Sequence, residues 1–339
     1  MSRRRALFSY VAARLALVPL MLWLIASLVF LLLRVAPGDP IDALLGSRAP
    51  EEARAALRHQ LGLDQPLLSQ YGNFLGHLLR GDLGTSLSSQ EPVTTIIGRS
   101  LPASLELGAV ALLLAALLGL AVGFSGIARP EGKVDLAGRL FGIGTYALPP
   151  FWAAMVMQLI FAVALGWLPV GGRFPPTLLP PSGTGFYILD SVRAWNGPQL
   201  MGTLRHLVLP ATTLGLLLSG IFTNALRLNL RRALASDYVE AARSRGLSER
   251  RVVLHHALPN ALLPVLTIAG ITVASLIGGA LLIEVTYSWP GIAFRLQEAI
   301  AQRDYPVVQA IVVVVAALVV LISVLVDVLV ALLDPRIRF

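Results

Sequence analysis

Val307–Leu333 reads VVQAIVVVVAALVVLISVLVDVLVALL, an apolar run in which Asp327 is the one charged residue. Wound as a helix, about 20 such residues cross the hydrocarbon layer of a membrane, so this stretch reads as a transmembrane span. Five more runs of spanning length lie upstream: Tyr10–Leu33, Pro102–Ile127, Leu136–Leu165, His206–Leu228 and Ala261–Thr286. The whole composition agrees. Of 339 residues 56% are hydrophobic and 14% charged, with a mean hydropathy of +0.74, whereas soluble domains carry about 25% charged residues. That balance argues against a soluble enzyme and excludes a disordered chain. The expected fold is an all-α polytopic membrane protein with six transmembrane helices and a small extracytoplasmic helical region. There is no cysteine, which removes disulfides, thiolate metal sites and Cys nucleophiles together.

Arginine supplies the orientation. Every basic residue except Lys133 is an arginine. Arg3, Arg4 and Arg5 precede the first run, whose apolar core exceeds a signal-peptide h-region. Arg34 then closes it without a small-residue cleavage site, so the run reads as a retained anchor. With the N-terminus in the cytoplasm, Arg14, Arg129, Lys133, Arg139, the arginines from Arg227 to Arg251, Arg336 and Arg338 also fall inside. The cytoplasmic loops are then roughly threefold denser in positive charge than the outer ones, as the positive-inside rule requires. A multi-pass protein with both termini cytoplasmic results.

The chain divides accordingly into a tail and first span (1–34), an outer helical cap (35–101), a five-span core (102–333) that includes a cytoplasmic loop (229–260), and a tail (334–339). Within the cap, short helices begin at Pro50, with Glu51 and Glu52 in the first turn, and at Pro66, with Leu67, Tyr71, Phe74 and Leu78 on one face. So small a segment could barely form a core alone, and it reads as packing on the outer mouth. Trp167–Arg205, rich in Gly and Pro, reads as an ordered outer loop. Pro149-Pro150 removes two amide donors and predicts a kink in the third span.

The cytoplasmic loop reads ASDYVEAARSRGLSERRVVLHHALPN from Ala235 to Asn260. Asp237 and Glu240 have a capping-box spacing, Gly246 suits the left-handed residue that ends a helix, and Ser248 is a second N-cap. Pro259 stands where the second helix must stop or bend. A projecting helix, glycine turn and helix follow. Its small residues Ala241, Ala242 and Gly246 permit close approach of another backbone, and its arginines offer charge-assisted contacts. The same residues also suit an ordinary capped loop obeying the positive-inside rule. A DNA-binding helix-turn-helix is disfavoured because both ends are tethered to spans.

Glu240-Ala241-Ala242, three residues, Gly246, eleven residues and Leu258-Pro259 resembles the EAA motif of permease subunits in binding-protein-dependent ABC importers. His256, where that pattern prefers an aliphatic residue, looks like the peptide and nickel branch. Ala36-Pro37-Gly38-Asp39-Pro40, Leu61-Gly62-Leu63-Asp64-Gln65-Pro66, Arg80-Gly81-Asp82-Leu83-Gly84-Thr85-Ser86, Ser288-Trp289-Pro290-Gly291, Arg303-Asp304-Tyr305-Pro306 and Leu333-Asp334-Pro335-Arg336-Ile337-Arg338 all look like the dipeptide/oligopeptide B-type subunit. The resemblance implies a type I importer permease in a bacterial inner membrane. It also implies a homologous second (C-type) permease, two cytoplasmic ABC ATPases that bind ATP and Mg, and an extracytoplasmic solute-binding protein. By the same resemblance Asp237, Glu240, Ala241, Ala242, Gly246, Leu258 and Pro259 form the ATPase coupling site, with Glu240 a polar contact, the two alanines a packing surface and Gly246 the turn. The implied cargo is a di- or oligopeptide; nickel, glutathione, haem or sugar carriage would reuse the same design.

Rival chemistries find little support. The nearest approach to a phosphate-binding loop, Gly126 to Val134, has the wrong glycine spacing and lacks the hydroxyl, so ATP hydrolysis falls to another chain and no cofactor is expected in this one. His255 and His256 are adjacent, not i and i+4, and no Gly-x-Ser-x-Gly occurs, which disfavours an intramembrane hydrolase. ATP-dependent uptake would separate an importer from a passive channel, and no nucleic-acid partner is indicated. Among acidic residues near span ends, Glu106, Glu284 and Asp327, Glu284 is the pathway candidate because Thr267, Thr272 and Ser275 precede it on one span. The alternative is a helix-end carboxylate paired with an arginine such as Arg295.

Overall fold

A computed structural model describes residues 3–35, 40–45, 49–127 and 132–333. Ala36–Asp39, Arg129 and the tail 334–339, drawn on above, lie outside them. Among the described residues the chain is helical: α1 (Arg3–Val35), α2 (Pro40–Leu45), α3 (Glu51–Gln60), α4 (Leu67–Leu79), α5 (Val93–Phe124), α6 (Lys133–Ala147), α7 (Pro150–Met157), α8 (Tyr187–Arg193), α9 (Gly197–Leu234), α10 (Asp237–Ser244), α11 (Glu249–Arg251), α12 (Leu258–Gly279), α13 (Leu281–Thr286), α14 (Ile292–Ala301) and α15 (Tyr305–Leu333).

Five of these segments are long and apolar enough to cross a membrane, and α6 with the segment Pro150–Ala164, bent by 103° at Leu148-Pro149, is apolar enough to count as a sixth if the bent pair is one span. The third run is therefore two helical pieces at a sharp angle, a larger bend than the kink its sequence predicts. Each proline forces the residue before it out of the helical region. Leu148 (ψ 129°) and Pro149 (ψ 129°) are both extended, and the chain re-enters a helix with Pro150 in its first turn. The second and fourth spans are longer than their apolar runs: α5 starts at Val93, nine residues before Pro102, and α9 extends the expected His206–Leu228 at both ends. The α9 start is capped by Asn196, whose side chain accepts the Gln199 N–H at 3.1 Å, with Pro198 in the first turn.

Helix α9 is the most buried of the spans and lies among α5, α6 and α12, while α1 and α15 pack together at the periphery. Small residues permit the α5–α9 approach: a Cβ on Gly119 would stand 2.6 Å from the Phe222 Cβ, far inside van der Waals contact. Ala111 and Ala115 extend the same close contact, each fully buried. The two helices run parallel, since Ala111 lies beside Gly215 and Gly123 beside Leu226. One end of the bundle therefore carries the loop between α9 and α12, and the opposite end carries α3, α4, α8, α13 and α14.

At that opposite end the expected cap helices form, with Pro50 and Pro66 as their N-caps. Helix α4 docks on α1: the Phe30 ring lies 5.3 Å from Tyr71 and 5.6 Å from Phe74, and Ser27 Oγ and Tyr71 Oη share a hydrogen bond of 2.6 Å. The segment rests on the bundle and has no buried residue of its own in α3 or α4.

Candidate functional site

The loop between α9 and α12 folds into a small wedge. Its helix is capped at Ser236, one residue earlier than the capping-box spacing suggests, and the Ser236 hydroxyl donates back to the Ala233 carbonyl instead of capping. Asp237 and Glu240 therefore both occupy the first turn, where carboxylates favour the positive end of the helix. Gly246 has φ +74° and its N–H donates to Arg243 O at 2.9 Å, so the turn is the left-handed one its sequence demands. Ser248 stands at the N-cap position of α11, with no cap bond from its side chain.

An ion pair closes the turn. Arg243 donates to both Glu249 oxygens, at 2.7 and 3.2 Å. The bond from Arg243 holds the Glu249 carboxyl below the usual carboxylate range and raises the guanidinium in return. Both groups are exposed, so the pair fixes geometry more than it adds stability.

Amphipathicity decides which face is free. Val239 and Ala242 point inward, onto Leu230, Ala233, Val252 and Ala257. Glu240, Ala241 and Ser244 point outward. Ala242, read from the motif as part of an intermolecular packing surface, is thus buried against its own chain, and of the two alanines only Ala241 is presented. Leu258 is half-buried and Pro259 exposed at the start of α12.

Pro259 does not stop the second helix. The six residues Val252–Ala257 wind as π-helix, with Leu258 N–H donating to Val253 O, and the chain runs unbroken from Glu249 into the span. A π turn inserts one extra residue and shifts the hydrogen-bond register immediately before Pro259, the residue of this continuous helix that has no N–H to donate. The wedge is thereby continuous with α12 on one side and α9 on the other.

Thr267 and Thr272 lie in α12, where each hydroxyl donates to the carbonyl one turn back, and Thr272 is buried. Ser275 is in the same helix, its side chain outside the described part. Glu284 belongs to the separate α13 beyond a break at Ala280. It is fully buried and accepts from Ser104 Oγ, Ala293 N at 3.0 Å and Phe294 N at 2.9 Å. Arg295 pairs with Glu298 and not with Glu284. Glu284, expected on the pathway, is thus buried within its own chain, where it ties the start of α14 to α5. Of the other membrane-depth acids, Glu106 pairs with buried Arg173 at 2.8 Å and accepts Ile188 N at 2.7 Å, and Asp327 pairs with Arg14 at 3.0 Å.

Two more buried carboxylates were not legible from spacing. Asp304 accepts from Ser86 Oγ (2.6 Å), Ser88 Oγ (2.9 Å), Leu87 N and Ser88 N (3.1 Å each), tying the 85–92 turn to the start of α15. Asp135, at the wedge end, receives Arg227, Arg231 (2.9 Å) and Arg139 (3.2 Å) and joins α6 to the last turns of α9. The Arg303-Asp304-Tyr305-Pro306 landmark and the basic excess were the only signals for either. Among the described residues no cluster of three His, Asp or Glu is placed to hold a metal ion.

Comparison with known proteins identifies the family. Residues 111–339 match the family "Binding-protein-dependent transport system inner membrane component", and residues 7–108 match its N-terminal companion. The di/tripeptide transport system permease of Pseudomonas aeruginosa is 39% identical over 98% of this chain and 99% of its own. The probable D,D-dipeptide transport system permease of Escherichia coli is 38% identical over 91% of both chains. The glutathione transport system permease of Salmonella choleraesuis is 34% identical over 98% of this chain and 100% of its own. With most of its length matched by the family and full-length relatives well above 30% identity, the chain belongs to the inner-membrane components of binding-protein-dependent transport systems, the permease subunits of ABC importers.

Proposed function

We propose that this permease forms half of a pathway for di- and oligopeptides, and that α10 seats in a cytoplasmic ATPase and transmits its movement to the spans. The observation that carries the coupling role is the wedge. One face, with Glu240 and Ala241, is free, while the other is locked through Val239 and Ala242 onto the ends of α9 and α12. Force applied to the free face reaches both spans through packed apolar contacts and the continuous Glu249–Val273 helix. Small side chains at the free face allow close docking, and Glu240 offers an acceptor to an arginine or backbone donor of the partner.

The remaining assignments follow from family membership and the arginine asymmetry. The wedge end is cytoplasmic, as are both termini, and the cap helices α3 and α4 with α13 and α14 face outward. A binding protein delivers solute to that outer face. A second, homologous permease completes the pathway, and two ATPases supply ATP and Mg chemistry that this chain does not perform. The dipeptide permeases among its relatives favour peptide cargo; the glutathione permease makes glutathione, itself a tripeptide, the second reading.

The test uses the assembled importer. Glu240→Arg should leave the chain inserted at near-normal level but cut uptake of a labelled dipeptide and release the ATPase on pull-down. Excess glutathione should compete weakly with the dipeptide. Full uptake with the ATPase retained in Glu240→Arg would remove the coupling role, and preferential uptake of glutathione would reassign the cargo.

A further inference from the structure

At the end opposite the wedge, a cavity of about 320 Å³ lies between the end of α1, helix α4, the 82–84 turn and the start of α15. Two donors on its wall lack acceptors. Gln309 is 7% exposed and its Nε2 is unpaired. Arg34 spends Nε and Nη2 on the same oxygen, Gln70 Oε1, at 3.3 and 3.2 Å, and its Nη1 is buried and unpaired. Among the described residues no carboxylate pairs with Arg34; its guanidinium lies over the Phe30 ring at 4.3 Å and near Tyr305 at 5.4 Å. Buried polar groups in folded proteins are almost always hydrogen-bonded. Two unpaired donors lining one cavity, one of them cationic, point to an acceptor that belongs to something else.

The remaining polar wall narrows the chemistry. Asp82 lines the same cavity, half-exposed, and accepts from His77 Nδ1 at 2.8 Å and Gly84 N at 2.9 Å. A bare anion held by Arg34 would face this carboxylate. A molecule carrying an ammonium beside its oxyanion would use both. We infer that this cavity binds a small zwitterion, its oxyanion held by Arg34 Nη1 and Gln309 Nε2 and its ammonium by Asp82. The volume lies at the low end of ligand pockets, enough for a headgroup or the end of a short peptide.

Two molecules at this site have that chemistry, a phosphatidylethanolamine headgroup and a free dipeptide. Neither requires the coupling or cargo assignments above, because binding is measured directly. The experiment is calorimetry on the delipidated, purified full chain with three probes: dihexanoyl phosphatidylethanolamine, dihexanoyl phosphatidylglycerol, which lacks the ammonium, and dialanine. Wild type should bind the ethanolamine lipid or dialanine saturably, and whichever binds identifies the source. Gln309→Leu, which keeps volume and removes only the polar end, should weaken that binding about tenfold or more, as should Arg34→Gln. Asp82→Asn should weaken it too, while binding of the glycerol lipid, relieved of the facing carboxylate, should not weaken. Size-exclusion profiles matching wild type verify that Gln309→Leu folds. Absence of binding for all three probes, unchanged affinity in Gln309→Leu, or binding of the glycerol lipid as tight as that of the better zwitterionic probe would overturn the inference.

Discussion

Neutralising Asp135 tests whether the α6–α9 junction beside the wedge depends on a buried charge pair. Asp135 is 3% exposed and Arg227 6%, whereas Arg231 and Arg139 are 51% and 44% exposed. In Asp135→Asn the two outer arginines turn to water at up to about 1 kcal/mol each. Arg227 cannot. It stays buried with neutral acceptors alone, the new side-chain amide oxygen, the Asp135 backbone carbonyl (2.9 Å) and the Ser125 carbonyl (3.4 Å), and an uncompensated buried charge costs about 3–5 kcal/mol. The expected loss is therefore about 3–5 kcal/mol, dominated by one residue. Replacing both partners, Asp135→Leu with Arg227→Met, removes the orphaned charge and should recover most of it. A double-mutant cycle by thermal unfolding of the purified protein should return a coupling of about 2–3 kcal/mol. A cost under about 1 kcal/mol for Asp135→Asn, or single-variant costs that simply add, would refute the reasoning.

At Gly246 a Cβ meets nothing within 4 Å, so the constraint is the backbone alone; Gly246→Asn should support near-normal uptake, while Gly246→Val, strained by about 1–3 kcal/mol, should cut it sharply. Gly119→Ala should destabilise by about 1–3 kcal/mol against Phe222, whereas Gly98→Ala in the same helix, with open space around it, should be neutral or slightly stabilising in the same melt. Asp304→Ala strands four donors at the 85–92 turn, and hydrogen exchange at Leu87 and Ser88 should accelerate while α10 is unaffected. Burial pushes the Asp190 carboxyl up, but donors at Thr184 and Gly185, with Arg193 nearby, outweigh it and leave the group below its ordinary range. A depressed folded value stabilises above the unfolded pKa of about 4 and is lost as pH falls through the lower value, so the protection of Thr184 and Gly185 from exchange, relative to the free-peptide rate, should hold above that pH and fall progressively below it.

The spans were legible because lipid imposes long apolar runs, and the Gly246 turn because a positive φ leaves a residue-level mark. Sequence reading faltered wherever the partner was remote. Glu284 finds its donors at 104, 293 and 294, and Asp304 finds its own more than two hundred residues away. Arg227 counts in sequence as one more inside charge, yet it is a buried partner of Asp135. Pro149-Pro150 announced a bend, but its size depended on both preceding residues turning extended. Ala242 shows the limit of a motif: helical periodicity with Val239 turned it inward, which the motif spelling alone does not encode.

Helix α9, 38 residues from Gly197 to Leu234, is about 57 Å long at 1.5 Å per residue, nearly twice the roughly 30 Å of hydrocarbon it crosses. Its midpoint falls at Gly215, where a Cβ would lie 2.9 Å from the Ala111 carbonyl, and the close contact with α5 runs on from there through Ser219, Phe222 and Leu226. A rigid tilt of 10° about that point would swing the two ends of such a beam about 5 Å each, in opposite directions. A thrust at one end would then emerge at the other as a countermovement, with no hydrogen bond of the helix exchanged along the way.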